Sequence, residues 1–227
     1  VHSGHMPTVV LPSYNGARKL PVLTPLLALL LAREGVAVVV HGAATEDKRV
    51  SSQAVLATNT SSLSVTAIAA ALQHPQRLAG YHFFNPVPLM RVVEVIAGLK
   101  TSATVCQQLT DYTRQFGHTP VSAQDTPGFI VNHAGRGYGT EALRVAGERV
   151  ADFATIDRIL RDQMGFKLGP FELMDLTALD VSHPVMESIY RQYYDEPRYR
   201  PSVITAQRLA GGVVGKKVGE GFYAYDN

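Results

Sequence analysis

Short apolar segments separated by polar turns occupy the first half of the chain, and each segment has the length of a strand. Strands are predicted over PTVVLPSY (7–14), VAVVVHG (36–42), VLATN (55–59), LAGYH (78–82), RVVEVI (91–96) and HTPVSAQ (118–124). Between the first two, LTPLLALLLAREG (23–35) predicts a helix and completes one βαβ unit. We therefore expect an α/β domain over residues 7–126.

Helical spacing replaces this pattern after Pro127-Gly128, which we predict to be the domain boundary. Helices are predicted over 103–117 before this boundary and, beyond it, over 129–148, 151–164, the stretch 169–194 and 202–211. Asp152 is a predicted N-cap, and Pro184 predicts a kink or a short break. The expected fold class is α/β followed by all-α, with a helical domain over residues 127–227. VHSGHM (1–6) is interpreted as left over from an expression vector and is excluded.

The composition excludes several functional classes. A net charge of +2 over 227 residues is nearly balanced, so no nucleic-acid partner is expected. The apolar stretch 23–32 is too short to span a bilayer, so no membrane partner is expected. The single cysteine, Cys106, excludes an internal disulfide and fits a reducing compartment, which predicts a cytoplasmic protein. Because neither CxxC nor HExxH occurs, no metal is expected.

His82 and Glu94 are the candidates for acid–base chemistry. His82 ends an apolar segment just before the turn FNPVP, and Glu94 is the only acid in the strand-like RVVEVI. A buried carboxylate needs a partner, and an imidazole held by it keeps one tautomer and accepts a proton near neutral pH. The alternative is a core histidine that pairs with a backbone carbonyl, with Glu94 on an exposed edge.

Two further polar stretches stand at the ends of predicted elements. In NTSSL, one of Thr60, Ser61 or Ser62 is predicted to cap the helix that follows, while another hydroxyl faces a cleft. In DTPGFIVNH, a Pro-Gly turn precedes a helix whose first turns carry Asn132. Polar positions at three element ends predict that these residues converge on one site.

Five segments of the chain, in the same order and spacing, resemble the 3-hydroxyacyl-CoA dehydrogenase family. They are NTSSL, GYHFFNPVPLMRVVEV, DTPGFIVN, LGPFELMDLTALD and GKKVGEGFY. The resemblance covers about residues 54–227. It implies oxidation of the 3-hydroxyl of an acyl-CoA with NAD as hydride acceptor, in fatty-acid or aromatic-acid β-oxidation. It also implies a Rossmann-like sheet and a helical domain that forms a homodimer.

The same resemblance implies roles for individual residues. His82 corresponds to the general base and Glu94 to the carboxylate that orients and electrostatically supports it. The substrate's reacting end is implied to contact Ser61 and Asn132. The nicotinamide cofactor is implied to contact Ser61, Asn85 and Lys217.

The opening of the chain departs from this family. The family pattern requires a GxGxxG turn for the pyrophosphate, and this fingerprint is absent, so we expect an incomplete or atypical Rossmann-like sheet. Residues 7–53 resemble anthranilate phosphoribosyltransferase-like proteins instead. Three explanations are open: an engineered or rearranged fusion, an atypical gene, or a sequence joined from separate segments. The alternative functions are a catalytically silent helical module for dimerisation or acyl-CoA binding and, more weakly, a phosphoribosyltransferase-like protein.

Overall fold

The computed structural model describes residues 54–84 and 87–226 in full, and two short strands before them in their backbone only. The chain divides into two compact units, Val1–Ile130 and Val131–Asn227. The first unit contains every strand of the described residues. The second contains six of their α-helices.

The strands of the first unit form two sheets. Their bounds are Thr8–Val10 (β1), Ala37–Val39 (β2), Leu56–Thr58 (β3), Leu78–Phe83 (β4), Val92–Ala97 (β5) and Thr119–Gln124 (β6). β1 and β2 pair in parallel, while the other four form a mixed sheet in the order β3-β4-β5-β6. In that sheet β4 and β5 run antiparallel, and the two outer pairs run parallel. All six strands overlap the segments predicted from the apolar pattern, and only β4 and β5 extend beyond them, to Phe83 and Ala97, so those predictions are confirmed.

Both faces of the mixed sheet are covered at β3, β4 and β5, because successive side chains of a strand point to opposite faces. Ala79 and Tyr81 of β4 belong to one core cluster, which includes buried residues of the helix Ala103–Gln115 (α2). Leu78 of β4 belongs to the other cluster, which includes buried residues of the helix Val65–Ala69 (α1). The edge strand β6 is more exposed, since Ala123 is its only buried residue.

A serine side chain caps each of these two helices. Ser102 caps α2, since its hydroxyl accepts a hydrogen bond from the N–H of Val105. The cap of α1 is Ser64, whose hydroxyl accepts from the N–H of Ala67. The prediction that a hydroxyl of residues 60–62 caps this helix is therefore wrong. The reason is that residues 61–63 form a bend before the helix begins.

The second unit is helical throughout its described residues. Its α-helices are Val131–Ala134 (α3), Arg136–Gly147 (α4), Phe153–Asp162 (α5), Pro170–Thr177 (α6), Leu179–Gln192 (α7) and Val203–Ala210 (α8). The predicted long helix is divided into α3 and α4 at Gly135, and α7 continues through Pro184. The break falls instead at Ala178, where φ is +65°. Among the described helices, none combines the length and apolar character that a membrane crossing requires.

Two buried aspartates join the C-terminal tail to these helices. Asp175 accepts hydrogen bonds from the N–H groups of Phe222 (2.8 Å) and Tyr223 (3.0 Å) and from the hydroxyl of Tyr225 (2.9 Å). Asp157 accepts from the hydroxyl of Tyr223 at 2.8 Å. These contacts give Asp175 a structural role.

Candidate active site

His82 and Glu94 lie opposite each other on the antiparallel strands β4 and β5. Nδ1 of His82 is 2.6 Å from Oε2 of Glu94. Glu94 is fully buried and His82 is 5% exposed, so the pair is shielded from bulk water. The buried carboxylate therefore has the hydrogen-bonded partner that its burial requires.

The second carboxylate oxygen of Glu94 is held by the backbone. Oε1 accepts a hydrogen bond of 2.9 Å from the N–H of Ile130. The chain reaches this position through a turn in which Gly128 and Phe129 both have positive φ, +81° and +51°. Positive φ is unfavourable for an aromatic residue, so packing must stabilise it. Phe129 is buried, and its ring centroid lies 5.7 Å from that of His82.

These contacts set the chemistry of the imidazole. Because Glu94 accepts the proton on Nδ1, the neutral ring has its lone pair on Nε2. Nε2 makes no hydrogen bond with any residue that the structure describes. Phe84, with its ring centroid 4.5 Å from that of His82, adds an apolar wall. An imidazole held in this way can accept a proton at Nε2.

The hydroxyl-rich stretch follows β3, next to the end of β4 that carries His82. Asn59 links the two, because its Oδ1 accepts a hydrogen bond of 2.9 Å from the N–H of Phe83. Thr60 is buried and its hydroxyl accepts from the N–H of Leu63, which shapes the bend. Ser61 is half-buried within that bend. This hydroxyl-rich stretch therefore lies at the same edge of the sheet as His82.

Asp125 fixes the far side of this bend. Its carboxylate accepts hydrogen bonds from the hydroxyl of Ser64 (2.8 Å) and from the N–H groups of Val65 (2.8 Å) and Thr66 (2.6 Å). The start of α1 is therefore attached to the end of β6. Asp125 is also four residues from Phe129, so one segment contacts both the helix start and the His82 and Glu94 pair.

The remaining predicted site residues lie elsewhere or are not described. Asn132 is in α3 and Lys217 in the short 3₁₀ segment Lys216–Val218, so both belong to the second unit. Lys217 is paired with the carboxylate of Asp180. Asn85 lies outside the described residues.

Three other histidines of the described residues have protein partners. Nε2 of His118 is 3.1 Å from the carbonyl oxygen of Val87, and Nδ1 of buried His183 is 3.0 Å from the hydroxyl of Thr205. His133 has tyrosine hydroxyls on both ring nitrogens. Within the described residues, no group of three His, Cys, Asp or Glu side chains could hold a metal ion.

Sequence analysis missed three contributors to the site: the N–H of Ile130, the amide of Asn59 and the anchoring role of Asp125. The Pro-Gly turn signalled a sharp reversal before Ile130, but not the direction of its N–H. The other two contacts span 24 residues or more along the chain. No local pattern encodes such contacts.

Two family models match nearly the whole described chain. The model for the 3-hydroxyacyl-CoA dehydrogenase NAD binding domain matches residues 28–126, and the model for the C-terminal domain of the same family matches residues 128–225. His82 and Glu94 fall within the first match, and Asn132 and Lys217 within the second.

Similar proteins carry related names. The 3-hydroxyadipyl-CoA dehydrogenase of Escherichia coli is 48% identical over 171 residues, which are 75% of this chain and 36% of that protein. The human mitochondrial hydroxyacyl-coenzyme A dehydrogenase is 40% identical over 179 residues, 79% of this chain and 57% of that protein. The chain thus spans between about a third and three fifths of the length of these relatives.

Solved structures resemble the whole fold. The 3-hydroxybutyryl-CoA dehydrogenase of Escherichia coli has a TM-score of 0.82 and 31% identity, covering 98% of this chain and 60% of that one. The (S)-3-hydroxybutyryl-CoA dehydrogenase of Ralstonia eutropha has a TM-score of 0.81 and 26% identity, covering 98% and 100%.

The matches correct the interpretation of the opening segment. The NAD binding domain model begins at residue 28, within the stretch 7–53 that was predicted to resemble anthranilate phosphoribosyltransferase-like proteins. That resemblance is not supported. The physical reason is that a predicted pattern of two apolar strands around an apolar helix is common to many α/β proteins, so a short segment of this kind does not discriminate between them.

Proposed function

The chain belongs to the 3-hydroxyacyl-CoA dehydrogenase family, and we propose that it oxidises the 3-hydroxyl of an acyl-CoA to a ketone with NAD as hydride acceptor. The observation that carries this proposal is the buried pair of His82 and Glu94, with the 2.6 Å contact at Nδ1 and no described partner at Nε2. Oxidation of an alcohol releases a proton, and Nε2 of this imidazole has a lone pair that can accept it.

The proposed proton transfer needs only residues of this site. Nε2 of His82 accepts the proton of the 3-hydroxyl, and the ring becomes a cation. Glu94 stabilises that cation at 2.6 Å in a site without bulk water, where charge interactions are strong. Ile130 holds the carboxylate through its N–H, so the imidazole does not have to reorient during the reaction.

The described edge of the sheet suits the nicotinamide end of a dinucleotide. Ser61 is half-buried in the bend after β3, close in sequence to Asn59, whose amide oxygen contacts Phe83 at the end of β4, and hydroxyls are hydrogen-bond partners for a carboxamide. We propose that Ser61, Asn85 and Lys217 hold this end. When bound, NAD supplies the hydride acceptor for the substrate's C3 carbon. The mixed sheet would then be part of an atypical Rossmann-like domain over residues 7–126.

Substrate binding is proposed for two residues. Ser61 and Asn132 would hold the oxygen and the thioester end of the acyl-CoA, which contributes orientation more than acid strength. The helical domain over residues 127–227 would cover the substrate. The alternative of a catalytically silent module is not favoured, because the base and its carboxylate are both in place.

We also propose a cytoplasmic homodimer that forms through the helical domain. Its support is the set of exposed apolar side chains on the second unit, such as Leu176 (61% exposed), Val181 (58%) and Val203 (70%). Sedimentation of the purified chain tests this. A mass of one chain at micromolar concentration would contradict the dimer.

His82→Gln tests the function. We expect kcat for 3-hydroxybutyryl-CoA and NAD to fall by about 10³-fold, because glutamine does not accept the proton, while the unfolding midpoint changes little. His118→Gln is the control, since His118 is a half-buried histidine of the same unit with carbonyl partners. An active His82→Gln protein would show that another group is the base.

Calorimetric titration with NADH, with and without acetoacetyl-CoA, tests the cofactor independently of turnover. We expect micromolar binding of NADH despite the missing GxGxxG turn. Binding of acetoacetyl-CoA without any binding of NADH would instead support the silent acyl-CoA module.

A further inference from the structure

Arg136, at the start of α4, is a partly buried cation without an anionic partner among the described residues. The only hydrogen bond between its side chain and the described residues runs from Nε to the carbonyl oxygen of Asn132, at 3.4 Å. No carboxylate that the structure describes forms an ion pair with it. Burial lowers the pKa of Arg136 below the usual value of a guanidinium, and no nearby anion opposes this effect.

The other partly buried arginines of the second unit are compensated. Arg161 forms an ion pair with Glu172. Arg208 lies over the ring of Phe222 at 4.3 Å and over a second phenylalanine at 5.0 Å, and Asp175 partly offsets its loss of hydration. Arg136 has neither a carboxylate nor a ring. Burying a cation without such compensation is costly, which points to a ligand that supplies the anion.

We propose that Arg136 binds a carboxylate carried by the acyl chain, so that the substrate class is 3-hydroxyacyl-CoA esters of dicarboxylic acids. This inference rests on the proposed function, in which Asn132 holds the reacting end of the substrate. Arg136 contacts the backbone of that same residue. The phosphates of CoA lie at the far end of the pantetheine arm, whereas a carboxylate on the acyl chain lies on the side of the reacting carbon. A guanidinium matches a carboxylate through two parallel hydrogen bonds.

Paired ligands test the proposal by calorimetry. The neutral probes are butyryl-, hexanoyl- and octanoyl-CoA, and the charged probes are succinyl-, adipyl- and suberyl-CoA, which have the same chain lengths. We expect at least one charged probe to bind the wild-type protein about ten- to hundredfold more tightly than its neutral counterpart. The preference should disappear in Arg136→Gln and be partly restored in Arg136→Lys, which keeps the charge without the planar fork.

Arg144→Gln is the matched control, because Arg144 is an exposed arginine of the same helix that pairs with Glu141 and Glu148. It should leave the preference intact. Equal binding of charged and neutral probes by the wild-type protein overturns the proposal, and so does an equal weakening of both by Arg136→Gln, which assigns Arg136 to a CoA phosphate. If the preference is present but no 3-hydroxyacyl-CoA is oxidised, the proposed function fails and the carboxylate site stands.

Discussion

Both units bury carboxylates, and the hydrogen-bond partners of each carboxylate indicate whether its role is chemical or structural. Glu94 in the first unit and Asp175 in the second are both fully buried, and Asp157 is 1% exposed. The two aspartates accept hydrogen bonds only from backbone N–H groups and tyrosine hydroxyls, which do not change protonation near neutral pH. The partners of Glu94 include a backbone N–H and an imidazole, a group that can take up and release a proton near neutral pH. Burial of a carboxylate alone therefore does not identify an active site, whereas the identity of its partner does.

Among the variants that test this comparison, Glu94→Gln is expected to have the largest effect, a loss of activity. The glutamine amide would donate to Nδ1 of His82 and so place the ring proton on Nε2, which removes the accepting lone pair. We expect kcat to fall by about 10³-fold with only a small loss of stability. Glu141→Gln, at an exposed glutamate, is the control. If Glu94→Gln keeps kcat within tenfold of the wild type, the carboxylate does not set the tautomer.

Asp175→Ala should have the next largest effect, on stability. It leaves two buried N–H groups and a tyrosine hydroxyl without their acceptor, so the free energy of unfolding should fall by about 4 kcal/mol. Urea unfolding measures this. Asp180→Ala removes the exposed pair with Lys217 and should cost less than about 1 kcal/mol. Equal losses in the two variants would show that Asp175 does not anchor the tail.

Asp157 should give the smallest effect, visible as a pH dependence. Burial raises the pKa of Asp157 above that of an aspartate in the unfolded chain and outweighs its hydrogen bonds, which lower it. Between these two pKa values the folded state binds more protons, so this group's contribution to stability is complete below the unfolded pKa. It is lost as the pH rises through the folded pKa. The free energy of unfolding of the wild type, minus that of Asp157→Asn, should therefore decrease as the pH rises across this window, because only the wild type titrates at this position. An increase of this difference with pH in urea unfolding would show that the hydrogen bonds, which lower the pKa, dominate.

Local patterns were sufficient for the elements and for the family. Alternation and apolar runs located the strands, helical spacing located the helices, and Asp152 was identified as the cap of α5 from its place before an apolar periodic stretch. Where such predictions failed, the outcome depended on neighbours in space. Ser64 caps α1, and Asp125, 61 residues away, also accepts a hydrogen bond from its hydroxyl. Pro184 lies inside α7, and the break in the helical stretch falls at Ala178, where φ is positive.

The sequence by itself determined the order and type of the elements. It also identified His82 and Glu94 as candidates for acid–base chemistry, and the segments that relate the chain to a dehydrogenase family. Only the tertiary structure decided that His82 faces Glu94 across an antiparallel pair and that the N–H of Ile130 holds the second carboxylate oxygen. It also decided that Arg136 is partly buried without a described anionic partner. The physical reason is that element type follows from local periodicity. Strand register, the path of a turn with positive φ and the pairing of buried charges depend on contacts between residues distant in sequence.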